Sequence, residues 1–278
     1  AGSGVAALGA PGSPGITEGA TRDTVVAPYN DLEAVRRTFE ERGAELACVI
    51  VEPVAANMGV VPPVTGFLEG LRALATDHQA VLIFDEVITG FRLGRGGAQE
   101  RYGVTPDLTV LGKVMGGGFP CAAFGGRADL MDLLAPEGSV YQAGTLSGNP
   151  VAVAAGLATL ELIDLLDPHP RLSQTASTLA AGISDALTAA DVPHRVSVAE
   201  PLFSLFFGER AVRTYEDART ADHDAYARFF HALFDREVYL PPSGYEAWFP
   251  STAHGEGEVE RTLAAAREAA KEVASGGS

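Results

Sequence analysis

Lysine is nearly absent from this chain. Of 278 residues, 20 are Lys or Arg, and only Lys113 and Lys271 are lysines. Wherever a generic positive charge serves, the sequence uses arginine. Positive charge is scarce altogether, since 36 acidic residues leave a net charge of −16. That balance excludes nucleic acid as the main partner, because phosphate binding needs a basic face. It equally excludes an anionic membrane surface. No apolar run approaches the roughly 18 residues of a membrane span; the best stretch, 151–166, is broken by Glu161 and Asp164. No signal-peptide pattern opens the sequence. Cysteine is limited to Cys48 and Cys121, which form no metal-type pair. Such usage fits a reducing cytoplasm better than a disulfide scaffold. His78, His169, His194, His223, His231 and His254 show no metal-ligand spacing, and no H-E-x-x-H motif occurs, so no metal is expected. A G-x-S-x-G hydrolase turn is missing as well. The first methionine is Met58 and residue 1 is Ala, so we expect the chain to begin inside a longer gene product.

What is present is a globular core composition, 46% hydrophobic and 20% charged. Residues 1–30 are rich in Gly, Ala, Ser and Pro and read as loop. A helix is expected over 31–42, capped by Asn30. A strand buried on both faces follows at 46–51, then a helix at 66–78 and a strand at 80–84, which together make a parallel strand–helix–strand unit. Short strands are expected at 108–111 and 121–124. Asn149 and Pro150 open the next helix, Asn as cap and Pro at the first helical position. After Pro168 the texture changes to helices at 171–190, 223–236 and 256–273 and strands at 194–198, 202–207 and 238–240. The pattern is α/β with a mostly parallel sheet over 1–165, followed by a smaller α+β domain over 166–278.

In open α/β sheets, ligands sit at the carboxyl ends of parallel strands. The first strand is followed by Glu52, Pro53 and Asn57, the second by Asp85 and Glu86, and the third by Gly112, Lys113 and the triplet Gly116-Gly117-Gly118. Two acids and a lysine therefore converge on one crevice. Lys113 lies between an apolar strand and three glycines, where a desolvated amine can act as nucleophile or Schiff base; arginine cannot. The string Leu82-Ile83-Phe84-Asp85-Glu86 also fits the magnesium-holding strand of a P-loop NTPase. The required G-x-x-x-x-G-K-[ST] fails, because Asp107 and Val114 stand where Gly and Ser or Thr are needed. A lysine, a carboxylate and the hydroxyl-rich helix start at Thr145 match the needs of pyridoxal phosphate. Its aldehyde takes an imine, and its ring nitrogen needs an acid partner to serve as electron sink.

The strings Glu52-Pro53-Val54-Ala55-Ala56-Asn57-Met58-Gly59, Phe84-Asp85-Glu86-Val87-Ile88-Thr89-Gly90-Phe91-Arg92, Leu111-Gly112-Lys113 and Ala143-Gly144-Thr145-Leu146-Ser147-Gly148-Asn149-Pro150 resemble class III, fold-type I pyridoxal-phosphate aminotransferases. The segments 1–6 and 242–249 are similar to the aminomutase subgroup, which acts on glutamate-1-semialdehyde. The resemblance implies that Lys113 holds the cofactor as an imine and shuttles protons, and that Asp85 pairs with the ring nitrogen. It implies that Val87 packs on the ring, that Asn57 bonds its phenolic oxygen, and that Thr145 reaches the phosphate held by a neighbouring subunit. A cytoplasmic homodimer with shared sites follows. Ser3 and Glu246 would face the substrate, and residues 1–22 would form a gating loop. The implied reaction moves an amine within glutamate-1-semialdehyde to give 5-aminolevulinate for tetrapyrrole synthesis, with pyridoxamine phosphate as the other cofactor form.

Two departures qualify that resemblance. The family's N-terminal portion, with its phosphate loop, is not in this sequence, and Glu200-Pro201 replaces a small, glycine-rich pair. The competing readings are a class III aminotransferase for another amine and a non-catalytic fragment.

Overall fold

The computed structural model describes residues 15–276. Ser3 and most of the expected gating loop lie outside them. A single helical turn, α1 (Glu18–Thr21), interrupts the loop before α2 (Leu32–Arg42). Asp31 caps α2, accepting from the Ala34 amide at 2.9 Å; Asn30 does not. Instead Asn30 adopts φ +66°, a left-handed conformation that Asn tolerates. Its side chain ties Pro62 O, Arg213 O and Val64 N together.

The first sheet is built from β1 (Cys48–Val51), then α3 (Phe67–Asp77), β2 (Val81–Glu86), α4 (Gly97–Tyr102), β3 (Leu108–Leu111) and β4 (Ala123–Gly126). Its order is β1-β2-β3-β4. The first three strands are parallel, and β4 runs antiparallel to β3. Successive side chains point to opposite faces of a strand. Leu82 and Phe84 are therefore buried on one face, against Phe39, Phe67, Leu68 and Leu71 of α2 and α3. Each of these burials stabilises by about 1.5–3 kcal/mol. Across the strand, β1 is not buried on both faces as expected: Cys48 is exposed and Ile50 is 62% exposed. Among the described residues the second face of the sheet is open, and Ile83 and Asp85 point to the same side as Ile50.

A helical turn, α5 (Ala128–Met131), precedes the long α6 (Pro150–Leu166). There follow α7 (His169–Ala189), the antiparallel hairpin β5 (His194–Ala199) and β6 (Leu202–Phe207), α8 (Tyr215–Arg219), α9 (His223–Phe234) and α10 (Glu256–Ser275). Their core gathers Ile183, Leu187, Phe203, Phe207, Phe229 and Ala266. No strand forms at 238–240. The Val238 amide closes the end of α9 on Leu233 O at 3.0 Å, so the segment is spent on a helix terminus.

Every residue of β6 is buried. Its second face packs on the loop after β1: Phe206 clusters with Ala55, Met58 and Val61, and Leu202 with Val54 and Val60. That packing fixes the hairpin against the strand ends of the first sheet.

Candidate active site

Strand register assembles the site. Val51 pairs with Phe84, so Glu52 and Asp85 are the next residues along neighbouring strands, and Asp85 in turn pairs with Val110 of β3. Lys113 follows two residues after β3 ends. The expected convergence of Glu52, Asp85 and Lys113 is thus built into the sheet. Glu86 departs from the pair of acids. It points into the opposite face, where its carboxylate accepts from Thr89 Oγ1 at 2.9 Å, Ala98 N at 2.6 Å and Gln99 Nε2 at 2.9 Å. It anchors the loop that follows Asp85.

Lys113 has φ +44°, a left-handed conformation that costs a non-glycine residue about 1–2 kcal/mol. Such strain persists where surrounding structure over-determines it, most often at functional sites. Here a 3-10 turn over Lys113–Gly116 is pressed against α6. A methyl group on the Gly156 Cα would lie 2.9 Å from Met115 O. At the start of α6, Asn149 Oδ1 accepts from Val151 N at 3.0 Å and Ala152 N at 3.1 Å, as expected of the cap. The desolvation expected for Lys113 is not seen: it is exposed, because it borders the open face of the sheet.

Asp85 Oδ1 accepts from Val87 N at 3.1 Å, and among the described residues no donor engages its other oxygen. A Cβ added at Gly112 would stand 3.4 Å from the Val87 side chain, so Val87 flanks the residue that precedes Lys113. Glu52 accepts from Ala56 N at 3.0 Å and from Asn57 Nδ2 at 2.8 Å. Burial raises the Glu52 carboxyl above its ordinary value against those two bonds; the Asp85 charge adds to the rise and the Lys113 charge opposes it. Both charges are therefore felt at Glu52.

Glu246 reaches the same loop from the other side of the molecule. Gly59 N donates to Tyr245 O at 2.7 Å, and Ser204 Oγ bridges Val60 N at 2.8 Å and Glu246 O at 3.0 Å. The Glu246 side chain remains exposed. Thr145 lies in an exposed segment, and no contact among the described residues brings it to Lys113. The Glu52–Asn57 bond was not foreseen from the sequence. An acid five residues before an Asn has no periodicity to reveal it, and only the turn geometry does. Arg92 is the second such residue: its Nη1 donates to Pro250 O at 3.1 Å and its guanidinium lies 5.5 Å over the Phe249 ring, bracing the segment that carries Glu246. Glu200, the departure noted above, ties α7 to the hairpin by accepting from Ser177 Oγ at 2.6 Å.

A lysine in a strained turn stands beyond one strand end, and a carboxylate with one oxygen free among the described residues stands at the next. The chain belongs to the class-III aminotransferases, whose family pattern it matches over residues 3–246. It is 53% identical over 276 residues to the glutamate-1-semialdehyde 2,1-aminomutase of Thermomicrobium roseum, covering 99% of this chain and 64% of that protein. The enzyme of the same name from Roseiflexus castenholzii is 52% identical over 98% of this chain and 63% of its own length. Among solved structures, an omega-transaminase from Sphaerobacter thermophilus superposes with TM-score 0.88 at 33% identity, over 95% of this chain and 60% of that one. A glutamate-1-semialdehyde-aminomutase from Pseudomonas aeruginosa in complex with PMP gives TM-score 0.82 at 27% identity, over 94% and 60%. The fold is the fold-type I architecture of these enzymes, as expected. The chain spans less than two thirds of the length of the curated relatives it matches.

Proposed function

We propose that these residues belong to a pyridoxal-phosphate-dependent aminomutase that converts glutamate-1-semialdehyde to 5-aminolevulinate, the entry to tetrapyrroles. The observation that carries the reading is the strand-end convergence of Glu52, Asp85 and Lys113 beside Asn57, in a chain 53% identical to an enzyme of that name. The residues fit the cofactor chemically. Asp85 offers a carboxylate oxygen to a protonated ring nitrogen, Val87 an apolar surface to a ring face, Asn57 an amide donor to a phenolic oxygen, and Lys113 an amine to an aldehyde. When bound, pyridoxal phosphate supplies an electron sink next to the migrating nitrogen.

The remaining steps fall to this chain's own groups. Lys113 Nζ takes and returns protons at the substrate carbon. Asp85 would accept a hydrogen bond from the protonated ring nitrogen. Glu246 would orient the substrate, a role the family resemblance also gives to Ser3, and a closed site would keep the amine exchange internal. Thr145 reaches the phosphate in a neighbouring subunit of a cytoplasmic homodimer; its exposure supports that role. We place the division between the cofactor-binding part and the smaller α+β part at residues 165 and 166.

The test is to give the native gene product that contains these residues glutamate-1-semialdehyde with no keto acid. Formation of 5-aminolevulinate is expected. Product that appears only with a stoichiometric amine donor and acceptor would make the protein an aminotransferase for another amine.

A further inference from the structure

Glu52 is a partly buried acid with no role in the reaction as derived so far. Most of what shapes its loop lies elsewhere. Ala55 and Val61 bridge each other through two backbone bonds, at 3.1 Å and 2.8 Å. The Tyr29 hydroxyl donates to Pro53 O at 3.0 Å, and Tyr29 itself rests edge-on against Phe67. Val54, Ala56 and Val60 are buried in a common cluster with Leu202. The loop backbone is therefore held from three sides besides the one bond that Glu52 Oε2 accepts from Ala56 N, which a glutamine oxygen can also accept.

The Asn57 side chain is different. It is exposed, and its one hydrogen bond among the described residues is the 2.8 Å bond it donates to Glu52 Oε1. A carboxylate only accepts, whereas a carboxamide has a donating end and an accepting end. Glu52 thereby dictates which end of Asn57 is which. With one amide hydrogen on Glu52, the second is left on the same nitrogen as a donor.

We propose that Glu52 is a positioning residue that locks the Asn57 carboxamide with its nitrogen toward the strand ends, so that Asn57 is a fixed donor to the cofactor. The inference rests on the cofactor reading above. Two ionisable groups act on Glu52, Asp85 from β2 and Lys113 from the turn after β3, and Glu52 in turn acts on Tyr29 from the segment before α2. A negative Glu52 in that company also sharpens Asn57 as a donor, because a charge-assisted hydrogen bond polarises its amide.

The experiment is a double-substitution cycle on the native gene product, with Glu52→Gln, Asn57→Ala and the pair. Pyridoxal phosphate is titrated into each and followed by visible absorbance, alongside thermal unfolding without cofactor. Glu52→Gln keeps the size but lets the amide of Asn57 turn either way. Each single change is expected to weaken cofactor affinity about tenfold, the size of one such bond. The pair should also weaken it about tenfold rather than a hundredfold, since both changes remove one device. The cofactor-free Glu52→Gln protein should unfold no earlier than its parent. Additive losses, an unchanged affinity in Glu52→Gln, or an affinity loss that tracks lower thermal stability overturns the positioning role while leaving the cofactor reading intact. Failure of the unsubstituted protein to take up pyridoxal phosphate overturns both.

Discussion

Gly117 and Thr159 touch without clearance. A methyl group on the Gly117 Cα would lie 2.2 Å from Thr159 Oγ1 and 3.2 Å from Ala155 O. Thr159 has little room to yield, because its hydroxyl donates to Ala155 O at 2.8 Å. Gly117 also sits at φ +57°. This contact sets how closely α6 approaches the turn that carries Lys113. Gly117→Ala should cost about 2–4 kcal/mol, combining left-handed strain with overpacking. Gly118→Ala is the control: its φ is +92° but nothing stands within 4 Å of the added carbon, so it carries strain alone. Thermal unfolding of the two variants compares them, and Thr159→Ala should recover part of the Gly117→Ala loss.

Borohydride trapping addresses Lys113. Reduction of the cofactor-loaded native product, then peptide mapping, is expected to label Lys113 and leave Lys271 unmodified. Lys271 lies on the exposed side of α10, 2.7 Å from Glu268, and has no part in the strand ends. Label on Lys271, or on neither lysine, removes the central assignment.

Asp85→Asn keeps the shape of the side chain and removes its charge. One preorganised charge at a reacting system is worth roughly 3–4 kcal/mol, so turnover should fall about a hundredfold to a thousandfold while the protein still folds. Steady-state rates with glutamate-1-semialdehyde measure this. A near-normal rate would mean that another group partners the ring nitrogen.

Much of this site could be read from the sequence because it is made of strand ends. The apolar runs at 80–84 and 108–111 announce parallel strands, and Asp85 and Lys113 are simply what comes next. Asn149 and Pro150 announce α6 by local capping chemistry. What could not be read depends on distant partners. Asp31 caps α2 because Asn30 is drawn away to Pro62, Val64 and Arg213. Glu86 faces away from Asp85 because strand side chains alternate, and its partners at Ala98 and Gln99 lie across a loop with no periodicity. The openness of β1 is likewise invisible to a hydrophobic run, which records the apolar residues and not whether a layer covers them.

Asp107 gives a stability test independent of any ligand. Burial would raise its carboxyl, but the Leu82 amide and the Arg127 and Arg72 guanidinium groups outweigh that and hold it below its ordinary value. Those bonds measure 2.7, 2.9 and 2.8 Å. A depressed acid stabilises the fold above its unfolded value of about 3.9, and that gain is lost as pH falls through the lower folded value. Asp107→Asn should therefore destabilise by about 1–2 kcal/mol at neutral pH, since both arginines keep access to solvent. The gap to the parent should close as denaturation is repeated at increasingly acidic pH. A gap that stayed constant would mean the arginines contribute no charge-dependent stability.

The outer face of α6 supplies the last prediction. Leu162 is 53% exposed, Leu165 78% and Leu166 64%, on neighbouring positions of one helix. Burying a leucine is worth about 1.5–3 kcal/mol, and monomers rarely leave such a cluster bare. Residues 1–278 expressed by themselves should therefore bind an apolar dye strongly and sediment as associated species. The native gene product should bind far less dye if this face is covered there. Leu162→Lys together with Leu166→Lys should lower dye binding and association of the 278-residue chain. Its melting temperature should hardly change, because neither leucine belongs to a buried cluster. Dye binding that survives both substitutions would place the sticky surface elsewhere, with Ile50 on the open face of the first sheet the next position to change.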